Sequence, residues 1–119
     1  MPTTTEITVR FRSEGFHRWP DAPTHRDYLA TRHRHLFHIN VTLPVDHPDR
    51  AIEFHDLLGA ARYTFENYKG EGADFGAASC EMLAARLAGH LLSTFASAGY
   101  VRVEVSEDGE CGATVTVSR

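Results

Sequence analysis

Alternating apolar and polar residues predict the first two strands of the protein. The alternation runs over residues 7–11 and returns over residues 33–43, and in both places every second residue is apolar or a histidine. This period is typical of a strand with one buried face. The segment 16–32 between them contains two prolines and has no clean period. We therefore expect a long loop there, and long ordered loops in small domains are often functional.

Helical spacing replaces alternation in the middle of the chain. Apolar residues three and four apart predict a helix from Phe54 to about Tyr68. A second helix is predicted after the glycine-rich link 70–76, with Ser79 as its N-cap and Gly99 just beyond its end.

Alternation returns near the end of the chain and predicts two more strands. They cover residues 101–105 and residues 115–117, with a turn at Asp108-Gly109 between them. The predicted order is strand, strand, helix, helix, strand, strand. This order indicates an α+β fold.

The composition is that of an ordinary globular protein. The chain has 119 residues, of which 42% are hydrophobic, and we expect one domain over residues 1–119. The formal net charge of -4 comes from interspersed acids and bases, which argues against a nucleic-acid partner. The first six residues form no basic or apolar run, and no stretch approaches the ~20 apolar residues of a membrane span. We expect a cytoplasmic protein with no membrane partner and a small-molecule ligand.

The two cysteines carry little of the chemistry. Cys80 and Cys111 are too few and too far apart for a zinc ribbon or a disulfide framework, and we expect both to be reduced. Cys80 falls on the apolar stripe of the second helix and Cys111 begins a strand. Packing explains both positions better than a nucleophilic role does.

Eight histidines are the unusual feature, and most lie between residues 17 and 55. Counting by twos from the first strand brings His17 onto its apolar face, and His33 and His35 share the apolar face of the second strand. If these strands are neighbours, three imidazoles converge. Neutral imidazole is a preferred zinc ligand, and three protein ligands with an open fourth position are typical of catalytic zinc. On the pattern alone, hydrogen-bonded core or surface histidines remain the alternative, and we apply that interpretation to His25, His38, His47, His55 and His90.

Two short motifs resemble those of a known family. Phe16-His17-Arg18-Trp19-Pro20 and His33-Arg34-His35-Leu36-Phe37 resemble the F-x-x-x-H-x-L-P and H-G-H-x-[FY] signatures of the 6-pyruvoyl-tetrahydropterin and 6-carboxytetrahydropterin synthase family. The resemblance implies a catalytic zinc held by His17, His33 and His35. It also implies the tunnelling fold, an antiparallel four-stranded sheet with two helices on one face, assembled into a ring-shaped homo-oligomer such as a hexamer with sites at subunit boundaries.

The resemblance covers nearly the whole chain. Residues 52–57 are similar to the family's V-I-D-F-x-D-L, with Glu53 in place of the aspartate, and residues 79–84 are similar to T-x-E-N-L-A. Residues 103–107 resemble V-x-V-x-E, which implies that Glu107 anchors the edge of a pterin ring by bidentate hydrogen bonds. Without the resemblance, Glu107 would be interpreted as a solvated turn residue.

The family's proton-transfer residues are not evident. No cysteine precedes His33 at the family spacing, no Asp-His pair follows the first helix, and Arg34 replaces the middle glycine of H-G-H. Counting forward two from His25, which resembles the histidine before the family cysteine, gives Asp27. Asp27 is our candidate catalytic residue, and His25, Glu53 and His55 are the other groups that general acid–base catalysis could use.

Three functional hypotheses follow. The first is a zinc-dependent lyase acting on a reduced pterin or a related purine-derived heterocycle. The second is a protein of the same fold that binds metal and a pterin-like or nucleotide-like ligand without catalysis. The third is an oligomerisation scaffold with structural histidines, which predicts no stoichiometric metal.

Overall fold

The backbone of residues 2–119, which the computed structural model describes, forms one antiparallel sheet covered by two α-helices. The strands are β1 (Thr5–His17), β2 (His33–Val45), β3 (Tyr100–Glu107) and β4 (Cys111–Ser118). The helices are α1 (Phe54–Glu66) and α2 (Cys80–Thr94), and a short 3-10 segment covers Thr24–Ala30. The sheet order is β1-β2-β3-β4. The predicted α+β tunnelling fold is confirmed.

The core lies between one face of the sheet and the two helices. Alternate residues of the strands point into it, including Phe37, Ile39, Val41, Leu43, Val101, Val103 and Val105, all with no exposed surface. Helix α1 packs on β1, and α2 packs on β3 and β4. Burying each large apolar side chain contributes about 1.5–3 kcal/mol, so the period-2 pattern decides which face the helices cover.

Both helices begin at a side-chain cap. The Ser79 hydroxyl accepts a hydrogen bond from the backbone N–H of Met82, as predicted. The Glu53 carboxylate accepts from the backbone N–H groups of His55 and Asp56. Within residues 2–119, neither helix has the length and apolar character needed to cross a membrane.

Strand β1 is longer than the alternation predicts, and the expected loop is shorter. β1 pairs with β2 as far as His17, and the link between α1 and α2 pairs with the other side of its end: the Phe16 N–H donates to Ala73 O (3.0 Å) and the Phe75 N–H donates to Phe16 O (2.8 Å). Part of the remaining loop folds into the 3-10 segment. These backbone hydrogen bonds join residues far apart in the chain, so no local sequence pattern predicts them.

The first hairpin projects beyond the rest of the sheet. β1 and β2 pair over their full length, from Thr5–Val45 to His17–His33. β3 pairs with β2 only between residues 37 and 42 of β2. The histidine end of the hairpin therefore extends past the end of β3, where loops and helix ends can approach it.

Candidate metal centre

The three predicted histidines meet at the projecting end of the first hairpin. His17 lies directly opposite His33 in the register, and His35 lies opposite Gly15 on the same face. The ring centroids are 4.6 Å apart for His17 and His33, 5.3 Å for His17 and His35, and 5.0 Å for His33 and His35. The convergence that the sequence could only propose is thus present.

Each of the three rings is held by a hydrogen bond at Nδ1. The acceptors are Ala78 O for His17 (2.9 Å), Thr31 O for His33 (2.9 Å) and Asp108 Oδ2 for His35 (2.7 Å). Because a carbonyl or carboxylate oxygen can only accept, Nδ1 carries the hydrogen in each ring. In the neutral form of each ring the lone pair is then on Nε2, the arrangement of histidines whose other nitrogen binds a metal.

Two of these Nε2 atoms lie buried without a hydrogen-bond partner. They belong to His17 and His35, and they are two of the three such side-chain atoms within residues 2–119. Burial lowers the pKa of His17, so its ring is neutral at neutral pH. A buried nitrogen without a partner costs about 1–3 kcal/mol. A metal ion at this position would satisfy both, so the donor set fits zinc.

Glu107 completes the cluster from the end of β3. Its Oε2 lies 2.9 Å from Nε2 of His17 and 3.6 Å from Nε2 of His35. The short distance to His17 is not a hydrogen bond, because the Nε2 lone pair and the carboxylate oxygen are both acceptors. One donor atom from each of Glu107 and the three histidines lies within 4.8 Å of all the others.

Asp108, the next residue, is a functional candidate that the sequence interpretation missed. Its backbone has φ 57°, and its carboxylate turns back to accept from the Leu36 N–H (2.9 Å) as well as from His35. The hydrogen bond from His35, together with that from Leu36, lowers the pKa of Asp108. The available signal was the Asp108-Gly109 pair, which indicated a turn but not the long-range contact.

A cleft of ≈ 540 Å³ opens beside the cluster. His17, His33 and Glu107 line one side, and the loop and helix side chains include Trp19, Leu29, Cys80 and Met82. Burial raises the pKa of Cys80 to about 12, with the charges of Glu107 and Glu81 acting in the same direction. The Cys80 thiol is therefore protonated at neutral pH, which disfavours a role as nucleophile.

The predicted proton-transfer residues are not brought to this cleft within the subunit. Asp27 is exposed on the 3-10 segment and is not among the cleft-lining residues. Glu53 caps α1 and bonds His55, away from the histidine cluster. The structure thus unites His17, His33, His35 and Glu107, and the catalytic role of Asp27 stays a prediction.

Several solved structures share this fold. A catalytic-residue mutant of Plasmodium vivax 6-pyruvoyltetrahydropterin synthase superposes with a TM-score of 0.75 at 16% identity, covering 99% of this chain and 100% of that one. The Plasmodium falciparum 6-pyruvoyl tetrahydropterin synthase gives 0.65 at 14% identity, and a putative dihydroneopterin aldolase from Vibrio cholerae gives 0.61 at 11%, both with 99% and 100% coverage. No protein-family model and no curated protein matches the sequence. The resemblance seen in the sequence is confirmed as a likeness of fold to these pterin-related structures.

Proposed function

We propose that this protein is a cytoplasmic, zinc-dependent lyase that acts on a reduced pterin or a related purine-derived heterocycle. The observation that carries the proposal is the set of three imidazoles with every Nδ1 hydrogen-bonded and every Nε2 left for one shared ion. Rings fixed in this way lose little freedom when they bind a metal. Such outer hydrogen bonds are usual for histidine ligands.

The volume and the lining of the cleft suit a small heterocyclic ligand. Its volume of ≈ 540 Å³ lies in the range of small-molecule sites. Trp19, Leu29 and Met82 offer apolar surface for a ring face, and Glu107 is proposed to accept hydrogen bonds from the ring edge. A zinc ion beside them would supply Lewis-acid polarisation of an oxygen on the ligand's side chain.

Proton transfer is proposed for Asp27, reached from a neighbouring subunit. The P. vivax structure is described as a catalytic-residue mutant in which glutamate is replaced by alanine, so a carboxylate is the catalytic group in that protein. Asp27 is exposed on a segment beside the cleft-lining Leu29. An exposed carboxylate can serve a neighbouring cleft if subunits pack there.

We infer that the protein forms a homo-oligomer, such as a hexameric ring, as the sequence resemblance implies. β1 and β4 form the two edges of the sheet in one subunit. Strand edges carry backbone groups that pair readily with another strand. Solution mass measured by light scattering tests this directly, and a monomer at micromolar concentration would argue against it.

A second function is favoured by specific observations. Asp27 lies outside the cleft of its own subunit, and the Cys80 thiol is protonated. A protein that binds metal and a pterin-like ligand without turning it over is consistent with both facts. Catalysis and binding differ in whether product forms.

The first experiment measures zinc per subunit in protein purified without added metal. We expect about one zinc per chain, lost in His33→Ala and His35→Ala. His38→Ala is the matched control because His38 lies on the same strand with its side chain on the opposite face. Zinc-free wild type with normal folding would refute the metal site.

The second experiment separates the two functions. Wild type and Asp27→Asn are incubated with 7,8-dihydroneopterin, and both bound ligand and product are measured. Turnover in the wild type that is lost in Asp27→Asn supports the enzyme. Binding of equal strength in both proteins without product supports the binding protein.

A further inference from the structure

We infer that Glu107 is a fourth protein ligand of the metal and closes the site until a ligand displaces it. This inference rests on the proposed metal site at the three histidines. It differs from the role implied by the sequence resemblance, in which Glu107 serves only as an anchor for a ring edge.

The strand register directs the Glu107 side chain to the histidines. Val101, Val103 and Val105 of β3 point into the core, so two residues further on Glu107 points to the same side. Glu107 lies opposite Phe37, and the next residue on that face of β2 is His35. Three neighbouring strands thus contribute to one cluster.

The distances suit a shared ion. Glu107 Oε2 is 2.9 Å from Nε2 of His17 and 3.6 Å from Nε2 of His35. Donor atoms that each lie ~2.0–2.2 Å from one zinc ion are roughly 3.5 Å apart in tetrahedral geometry and never more than about 4.4 Å apart. The carboxylate already lies at such separations from the two buried imidazole nitrogens.

Charge supports the same conclusion. Among residues 2–119, the ion-pair partners of Glu107 are His17 and His35, and no lysine or arginine is one of them. A half-buried carboxylate with no lysine or arginine partner lacks a permanent cation beside it, and a divalent ion would provide one.

The turn after β3 connects this ligand to the orientation of His35. Asp108 directly follows Glu107, and the left-handed backbone of Asp108 (φ 57°) lets its carboxylate accept from His35 Nδ1 and from Leu36 N–H. Consecutive residues therefore supply one ligand and one positioning group. A shift of this turn would move both together.

A filled fourth position has a functional consequence. Four protein ligands make a closed zinc site, whereas a catalytic site keeps a position open. With a metal bound, displacement of Glu107 would open a position for a substrate oxygen and would free its carboxylate to accept from the ring edge. Ligand binding and release of Glu107 are then one coupled event.

The test uses Co²⁺ as the probe, with Glu107→Gln, Glu107→Asp and Glu110→Gln. Glu110 is exposed in the same turn, so its substitution removes one charge without touching the cluster. We expect Glu107→Gln to weaken Co²⁺ binding at least about tenfold and to change the visible absorption of bound Co²⁺. Glu107→Asp should give an intermediate affinity, and Glu110→Gln should match the wild type. Circular dichroism of the metal-free proteins checks that each variant folds.

The outcomes separate this inference from the function it rests on. Wild-type affinity and an unchanged Co²⁺ spectrum in both Glu107 variants would overturn the fourth ligand and leave the histidine site standing. Failure of the wild type to bind Co²⁺, or retention of binding in His35→Ala, would overturn the metal site and this inference with it. Adding 7,8-dihydroneopterin to the Co²⁺ protein should move the wild-type spectrum towards that of Glu107→Gln.

Discussion

The two ends of the sheet carry the same residue types but form different sites with them. At one end His17, His33 and His35 converge with Glu107. At the other, a cavity of ≈ 350 Å³ is lined by His47, Asp49, Arg50 and Glu53, with His55 next to it in sequence. Histidines and carboxylates are present at both, but among residues 2–119 only the first end forms a cluster that could hold a metal.

The difference lies in where each histidine finds its partner. His55 is 86% exposed and bonds Glu53, two residues away, and His47 accepts from the Asp49 N–H. At the first end, His33 also bonds a near neighbour, Thr31, but His17 bonds Ala78 and His35 bonds Asp108, residues far along the chain. A local hydrogen bond ties a histidine only to its neighbours in the chain. Long-range hydrogen bonds fix the positions of several rings relative to one another and leave one nitrogen of each ring for a ligand. Two of the three histidines at the metal end have the long-range arrangement, and strand pairing places His33 opposite His17.

The largest expected difference between the two ends is in how much zinc raises the free energy of unfolding. Zinc at about 100 times its dissociation constant should raise the free energy of unfolding of the wild type by about 2.7 kcal/mol. His35→Ala should abolish this gain, and His55→Ala should retain it. Urea unfolding with and without zinc measures both, and equal losses in the two variants would mean that the ends do not differ.

A close contact next to the histidines gives the next effect. A Cβ at Gly15 would lie 2.5 Å from the Phe75 ring and 3.2 Å from Ala73 O, so Gly15→Ala should destabilise the metal-free protein by about 1–3 kcal/mol. Gly59 in α1 has no atom within 4 Å of such a Cβ, so Gly59→Ala should stabilise by about 0.5–1 kcal/mol. Thermal unfolding compares the two. A neutral Gly15→Ala would show that the α1–α2 link can move away at low cost.

Replacing a carboxylate should change zinc affinity at one end of the sheet and not at the other. This effect is smaller than the two preceding ones. Asp108→Asn keeps a side chain that tolerates a left-handed backbone, but it cannot accept from both His35 and Leu36 through two oxygens. We expect zinc affinity to fall at least about tenfold, or ~1.4 kcal/mol. Asp49→Asn at the other end is the control and should leave affinity unchanged. Calorimetric titration with zinc decides, and equal affinities for all three proteins would remove Asp108 from the site.

The smallest effect concerns the thiol at the cleft. With a pKa of about 12, Cys80 exists as thiolate in about one molecule in ten thousand at pH 8. Cys111 is exposed, so a thiol reagent should modify one cysteine per folded chain, and Cys111→Ser should remove that reaction. Mass spectrometry of the labelled peptides identifies the site. Rapid labelling of Cys80 would return it to the list of candidate ligands and nucleophiles.

Much of the fold was predictable because periodicity reports burial. The starts of both helices and of β2 agree with the pattern, and the cap at Ser79 was recognised from residue type alone. The end of β1 was not predictable, because it pairs with β2 on one side and with the α1–α2 link on the other. Strand length here depends on a contact between residues nearly sixty positions apart.

The candidate site, too, was predictable in part from the sequence. The sequence by itself determined that His33 and His35 share the apolar face of one strand, and counting by twos placed His17 on the apolar face of the first strand, since successive side chains of a strand alternate between its faces. Only the tertiary structure decided that His17 pairs with His33, that Ala78 and Asp108 orient the rings, and that Glu107 joins them. The physical reason is that alternation is a local property of the backbone. Register, by contrast, and the partners of buried polar groups are set by how distant segments pack.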